Sequence, residues 1–201
     1  MITIPKIAGR AAFDRRIAEG LFELRLSNFP WGSQPLKVLA DLAHDGEHLF
    51  VAMRSYESNP RATVTENEGP VHLDSCMEFF FSPCPELRPD YFNMEANPAG
   101  AMKFNYGAGR HGRLKTRGFP EVAGMQATRT ADYWQLVYQI PFALIRENAP
   151  EFTGASGSII RANMYRCGEQ AACTSFVTLF PIDTEKPDYH RPEYFGEMML
   201  A

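Results

Sequence analysis

Asp74-Ser75-Cys76-Met77-Glu78-Phe79-Phe80-Phe81, closed by Ser82-Pro83-Cys84-Pro85, is the stretch on which the fold turns. Three consecutive phenylalanines favour the pleated surface of a sheet, and the prolines stop the segment before a helix could complete its turns. Successive side chains alternate across a strand, so Met77, Phe79 and Phe81 are predicted to point inward. Glu78 then projects from the opposite face, between Cys76 and Phe80.

The same period of two runs outward in both directions. Residues 36–43 and 48–56 alternate on either side of His44-Asp45-Gly46-Glu47, where Asp-Gly signals a hairpin turn; His44 and His48 border it and are expected in solvent. Residues 57–73 contain Asn59-Pro60 and Glu68-Gly69-Pro70 and read as a loop. Next, residues 91–96 put Phe92, Met94 and Ala96 on one face, and Asn93, Glu95 and then Asn97 on the other. Asn97-Pro98-Ala99-Gly100 turns the chain into residues 101–106. Residues 122–130 and 133–140 form another antiparallel pair, after which Pro141 opens a short helix over 142–148, the one helix expected. With 159–166, 175–180 and 196–200, about ten strands result, the pattern of an all-β, antiparallel β-sandwich.

The 201 residues predict one domain spanning 1–201, with enough core to need neither disulfides nor a structural metal. Hydrophobic residues at 45% and charged residues at 22% exclude a disordered or collagen-like chain, and 15 Gly, 15 Pro and 12% aromatics suit short strands joined by turns. A net charge of −4 offers no field for phosphate backbones, so no nucleic acid is expected. No run approaches the roughly 18 to 20 apolar residues of a membrane helix. The opening residues lack a signal-peptide pattern, which reads as cytoplasmic, or as extracytoplasmic had a signal been removed. The oligomeric state is not legible. Cys76, Cys84, Cys167 and Cys173 show no Cys-x-x-Cys spacing and are expected as free thiols, although Cys167 and Cys173 could close a loop in an exported protein.

Several catalytic patterns fail on context. Gly107-Ala108-Gly109-Arg110-His111-Gly112 matches G-x-G-x-x-G, but the basic, proline-ended segment after it supplies neither the helix nor the acidic residue of a dinucleotide site. It reads as a hairpin tip that sets Arg110, His111 and Arg113 beside whatever cleft the sheet makes. Gly154-Ala155-Ser156-Gly157-Ser158 lacks the last glycine of a nucleophile elbow, and the five histidines form no metal-ligand spacing. No metal or cofactor is expected.

The polar face is the strongest signal. Asn93, Glu95 and Asn97 alternate on one strand and Arg161, Asn163 and Tyr165 on another, supplying the fixed donors and acceptors that a hydroxyl-rich ligand needs. A hydrated face with cross-strand pairs is the plainer account. Glu78 and Glu95 could be the paired carboxylates of a glycosidase. The reading preferred is non-catalytic: acceptors for sugar hydroxyls, or partners of Arg54 and Arg161, which would lower the raised pKa that a catalytic acid needs.

The segments 74–81 and 91–100, then Trp134 through Ile140-Pro141-Phe142, then Ile160-Arg161-Ala162-Asn163-Met164-Tyr165-Arg166-Cys167 and Asp188-Tyr189-His190-Arg191-Pro192-Glu193-Tyr194-Phe195-Gly196, resemble in order the family 9 carbohydrate-binding modules and their wider DOMON-like relatives. The resemblance spans about residue 35 to the C-terminus. It implies a β-sandwich that binds sugar without catalysis, with Glu78, Glu95, Asn97 and Asn163 as the hydrogen-bonding set. Where such modules sandwich the sugar between two tryptophans, this chain places His72 and Arg166, which suit anionic or flat ligands. Trp31 is either a platform from the N-terminal loop or a core plug. The expected ligand is a saccharide or uronate over a face of Arg54, Glu78, Asn93, Glu95, Asn97, Arg161, Asn163 and Arg166, with Arg161 or Arg166 taking a carboxylate. A glycoside-processing enzyme using Glu78 and Glu95, or a protein-interaction module, are the alternatives. The resemblance also allows structural calcium, for which no EF-hand-like loop is visible.

Overall fold

The computed structural model describes residues 1–116 and 118–201. Its strands are β1 (Ile2–Ile4), β2 (Leu24–Leu26), β3 (Val38–His44), β4 (His48–Ser55), β5 (Cys76–Ser82), β6 (Tyr91–Ala96), β7 (Met102–Gly107), β8 (Leu114–Lys115), β9 (Gln126–Arg129), β10 (Trp134–Pro141), β11 (Ile159–Cys167), β12 (Val177–Thr178) and β13 (Gly196–Leu200). Helices are α1 (Arg10–Ala18), α2 (Phe119–Val122) and α3 (Phe142–Asn148), with 3₁₀ turns at Val71–Leu73 and Pro192–Tyr194. One sheet runs β1-β13-β11-β5-β6-β7-β8 with β12 on β11, and the other runs β2-β3-β4-β10-β9. Pairing is antiparallel except for β1 with β13.

The inward sets of both sheets form the main core, Met77, Phe79, Phe81, Phe92 and Met94 meeting Val38, Ala40, Leu42, Val51, Met53, Trp134, Leu136 and Ile140. Phe79, Phe81, Phe92 and Phe104 stack in series, with ring centroids 5.0, 5.0 and 5.1 Å apart. Each such side chain contributes about 1.5–3 kcal/mol by leaving water. This two-layer packing is the β-sandwich that the alternation predicts.

The hairpin turn is built as its residues suggest. Asp45 Oδ1 accepts from the backbone N–H of Glu47 (2.8 Å) and His48 (2.7 Å), and Gly46 takes φ +98°. His44, expected in solvent, is instead 1% exposed and packs on Phe142, so burial holds its imidazole pKa down.

Other departures follow from weak periodicity. β1, β2 and β8 are short strands beyond the ten expected, and the expected strand over 122–130 contracts to β9 because α2 occupies its start. Helix α1 is also additional. Its Phe13 and Ile17 cover Ala43, Phe50, Ala52 and Val137 on the outer face of the second sheet, and Arg16 Nε reaches Asp41 Oδ2 at 2.6 Å. All four cysteines are free thiols. Among the described residues no helix is long and apolar enough to cross a membrane.

Candidate functional site

The outer face of the first sheet carries the site. Register sets Tyr165, Glu78, Glu95 and Lys103 side by side across β11, β5, β6 and β7. Directly opposed residues on one face have Cβ atoms about 4.5–5.5 Å apart, so the two glutamates are immediate neighbours. Irregular chain roofs them, and Glu78 is 4% and Glu95 5% exposed.

Between sheet and roof lies a cavity of about 220 Å³. Glu78, Glu95 and Lys103 line its sheet side. His72, Cys167 and Glu169 come from the 3₁₀ turn and the end of β11, Arg110 and His111 from the β7–β8 hairpin tip, and Trp31, Phe176, Asp188, Tyr189 and His190 from the surrounding loops.

The aromatic wall is braced from behind. Trp31 Nε1 donates to Thr184 O (2.8 Å), its ring meets Phe176 edge-on at 5.4 Å, and it leans on Tyr189 at 5.6 Å. Tyr189 stacks on Tyr165 at 4.1 Å, and its hydroxyl donates to Arg166 O (2.9 Å). Trp31 sits at φ +57°, a left-handed backbone that is rare for a bulky residue and clusters at functional sites.

The two carboxylates differ in environment. Glu95 Oε1 accepts from Asn93 Nδ2 (2.7 Å), and Asn93 Oδ1 accepts from Arg113 Nε (2.6 Å). Arg113 itself lies 4.1 Å over the Tyr91 ring and donates to Tyr91 O. Glu78 has no hydrogen-bond or ion-pair partner among the described residues. Burial, then the neighbouring Glu95, push its carboxyl well above the usual range, against the pull of Lys103 and Arg110. His190 is held neutral: burial, then Arg113 and Arg110, lower its pKa to about 3, and its Nδ1 lies 2.8 Å from the Tyr91 hydroxyl. Arg110 Nη1 bridges to Asp188 Oδ1 at 2.7 Å, joining hairpin tip to loop.

Of the residues singled out from sequence, Glu78, Glu95, His72, Arg110 and His111 meet at the cavity, and Asn93 and Arg113 stand behind Glu95. The remainder are corrections. Asn97 is buried in its turn, with Nδ2 donating to Val64 O and Asp74 Oδ2 and Oδ1 accepting from Ala99 N and Ala101 N. Asn163 pins the C-terminal loop through Phe180 and the Tyr194 carbonyl. Arg54 lies on the other sheet, with Nε and Nη2 on Gln135 and its guanidinium between the Phe22 and Tyr133 rings. Arg161 is on the correct face but outside the cavity, pairing with Glu197 and Glu86. Neither arginine reaches Glu78, so the lowering expected from them is replaced by a rise. Arg166 points into the sandwich. It is 0% exposed, its Nη2 is 2.8 Å from Glu57 Oε1, and its Nη1 donates to Cys173 O and Ser175 O.

Trp31, which the sequence leaves as either platform or core plug, lines the cavity, whereas Lys103, Glu169, Phe176 and Tyr189 are not singled out by the sequence. Lys103 was within reach, since alternation along 101–106 puts it on the face of Glu95; the loop residues carry no periodic signal. Among the described residues no group of three or more His, Cys, Asp and Glu side chains is placed to hold a metal ion.

Two packed sheets with a roofed polar cavity on one outer face define a β-sandwich binding module. The chain belongs to carbohydrate-binding family 9, whose sequence model matches residues 21–200. It is similar in fold to a Bacteroides uniformis ATCC 8492 protein provisionally described as carbohydrate-binding (TM-score 0.81, 22% identity, 100% of this chain and 99% of that one). It is also similar to a family 9 module of Caldicellulosiruptor kristjanssonii solved with glucose (TM-score 0.69, 11% identity, 100% and 95% covered) and with cellotriose (0.67, 11%, 99% and 92%). No curated protein matches the sequence.

Proposed function

We propose that this protein binds a saccharide, without turning it over, in the cavity beside Glu78 and Glu95. The observation that carries the reading is Glu78 itself, a buried carboxylate that borders the cavity and has no partner among the described residues. A buried acceptor left unmade is costly, and a ligand hydroxyl supplies the missing donor. Trp31 and its aromatic supports offer a flat surface for a ring, as such sites commonly do. The volume is below the roughly 300 to 1,000 Å³ of drug-sized pockets and suits one or two rings. Family membership, and the glucose and cellotriose held by the Caldicellulosiruptor module, point the same way. A uronate is disfavoured, because Arg161 and Arg166 lie elsewhere and its carboxylate would meet Glu78, Glu95 and Glu169.

Calorimetric titration with glucose, cellotriose and glucuronate tests this. Binding of a neutral sugar at up to millimolar concentration is expected, and Glu78→Ala should weaken it at least tenfold, about the worth of one charged hydrogen bond. Binding unchanged in a folded Glu78→Ala protein would remove the site assignment. A second reading, a glycoside-processing enzyme, draws on the raised Glu78 acid beside a second carboxylate. Aryl-glycoside turnover lost in Glu95→Gln would support it, and a flat baseline across a substrate panel would dismiss it.

A further inference from the structure

We infer that the cavity selects a saccharide bearing a primary ammonium group, an amino sugar, over its neutral and acidic counterparts. The inference rests on the saccharide reading above and concerns which sugar the same site takes. Its ground is a surplus of acceptors. Glu78 is 4% exposed, borders the cavity and has no partner among the described residues for either carboxylate oxygen. Beside it, Glu95 spends Oε1 on Asn93 and has no partner for Oε2 among the described residues. Glu169 adds a third carboxylate to the lining.

The nearby cations do not balance this set. Arg110 is engaged by Asp188 at 2.7 Å. Arg113 spends its donors on Asn93 and on the carbonyls of Tyr91, Asn105, Gly107 and Gly109. Lys103 lines the cavity, yet among the described residues no carboxylate lies within ion-pair distance of it. Three carboxylates thus face one unpaired ammonium. A ligand ammonium has three N–H donors and no acceptor, which matches the three unpartnered oxygens of Glu78 and Glu95 once the ligand's charge has displaced to solvent the proton that burial beside Glu95 favours on Glu78. A hydroxyl gives one donor and brings lone pairs toward the same carboxylates, and a uronate brings charge of the wrong sign. Charge-assisted bonds in a site shielded from water are the stronger kind, so the substituent's charge should set the ranking.

The test is calorimetric titration of the whole protein with glucose, glucosamine, N-acetylglucosamine and glucuronate at pH 6.5, where an amine of ordinary pKa is protonated. Glucosamine should bind at least tenfold tighter than glucose. N-acetylglucosamine, which keeps a substituent but loses its charge, should show no gain, and glucuronate should bind most weakly. Lys103→Met should widen the ratio of glucosamine to glucose affinity, and Glu78→Gln should collapse it toward one. Glucosamine binding no tighter than glucose overturns the inference and leaves the saccharide reading standing. N-acetylglucosamine matching glucosamine overturns it by assigning the gain to shape. If none of the four sugars binds, both readings fall together.

Discussion

Arg166→Met is expected to destabilise the protein by about 3–5 kcal/mol, because it strands Glu57 inside the sandwich. Glu57 is 6% exposed, forms an ion pair with the Arg166 guanidinium (Nη2 2.8 Å from Oε1), and accepts from Ser75 Oγ at 2.9 Å and Trp134 Nε1 at 3.1 Å. Removing the guanidinium leaves a buried carboxylate with two neutral donors, and it also frees the carbonyls of Cys173 and Ser175. At roughly 2–4 °C per kcal/mol for a chain of this size, the melting temperature should fall by about 6–20 °C. Adding Glu57→Gln should restore part of the loss, since the stranded charge goes with it. Thermal melts of the wild type, the single and the double variant decide the matter. A single variant within 1 kcal/mol of wild type would mean that the pair does not anchor this end of the sandwich.

Glu78→Gln should raise stability at neutral pH while weakening the sugar binding proposed for this carboxylate. The folded-state pKa of Glu78 is raised, by burial first and then by Glu95. The folded state therefore holds a proton that the unfolded state has released, over the window from the ordinary glutamate value of about 4.3 up to the raised one. Stability falls as pH climbs through that window and stays lower above it. A glutamine has no charge to bury beside Glu95, so the variant escapes this fall. The gain should be about 1 kcal/mol, on the scale of opposed like charges across a strand pair, or about 2–4 °C in melting temperature. It should vanish below about pH 4, where both states carry the proton. A difference that stays constant from pH 4 to pH 7 would show that Glu78 is not the titrating group. Melts in a pH series, paired with sugar titration, measure both sides of the exchange.

The sheet that carries the cavity was largely legible because its residues obey a strict period. Met77, Phe79 and Phe81 had to share a face, which fixed Glu78 on the other, and Glu95 followed by the same count. The identical count places Arg166 opposite Arg161, Asn163 and Tyr165, and its match to an expected stacking position obscured this. Helix α1 was missed since only Phe13 and Ile17 of its nine residues are buried, too few to mark an apolar stripe. Asn97 and Asn163 show a different limit. An amide that ties a turn or a loop to the sheet needs the same donors and acceptors as one that holds a sugar, so residue type alone does not separate them. The cavity wall came from segments without regular structure, where Trp31, Phe176 and Tyr189 meet only through tertiary packing.

The two tryptophans divide the molecule's intrinsic fluorescence between distinct environments. Trp134 is 0% exposed, its indole bonded to Glu57, whereas Trp31 is half-buried on the cavity wall. Emission from Trp134 should follow the integrity of the interior, and that of Trp31 should respond to a ligand in the proposed site. If the cavity is the binding site, a single chain would carry separate optical reporters for unfolding and for ligand arrival, without an added label.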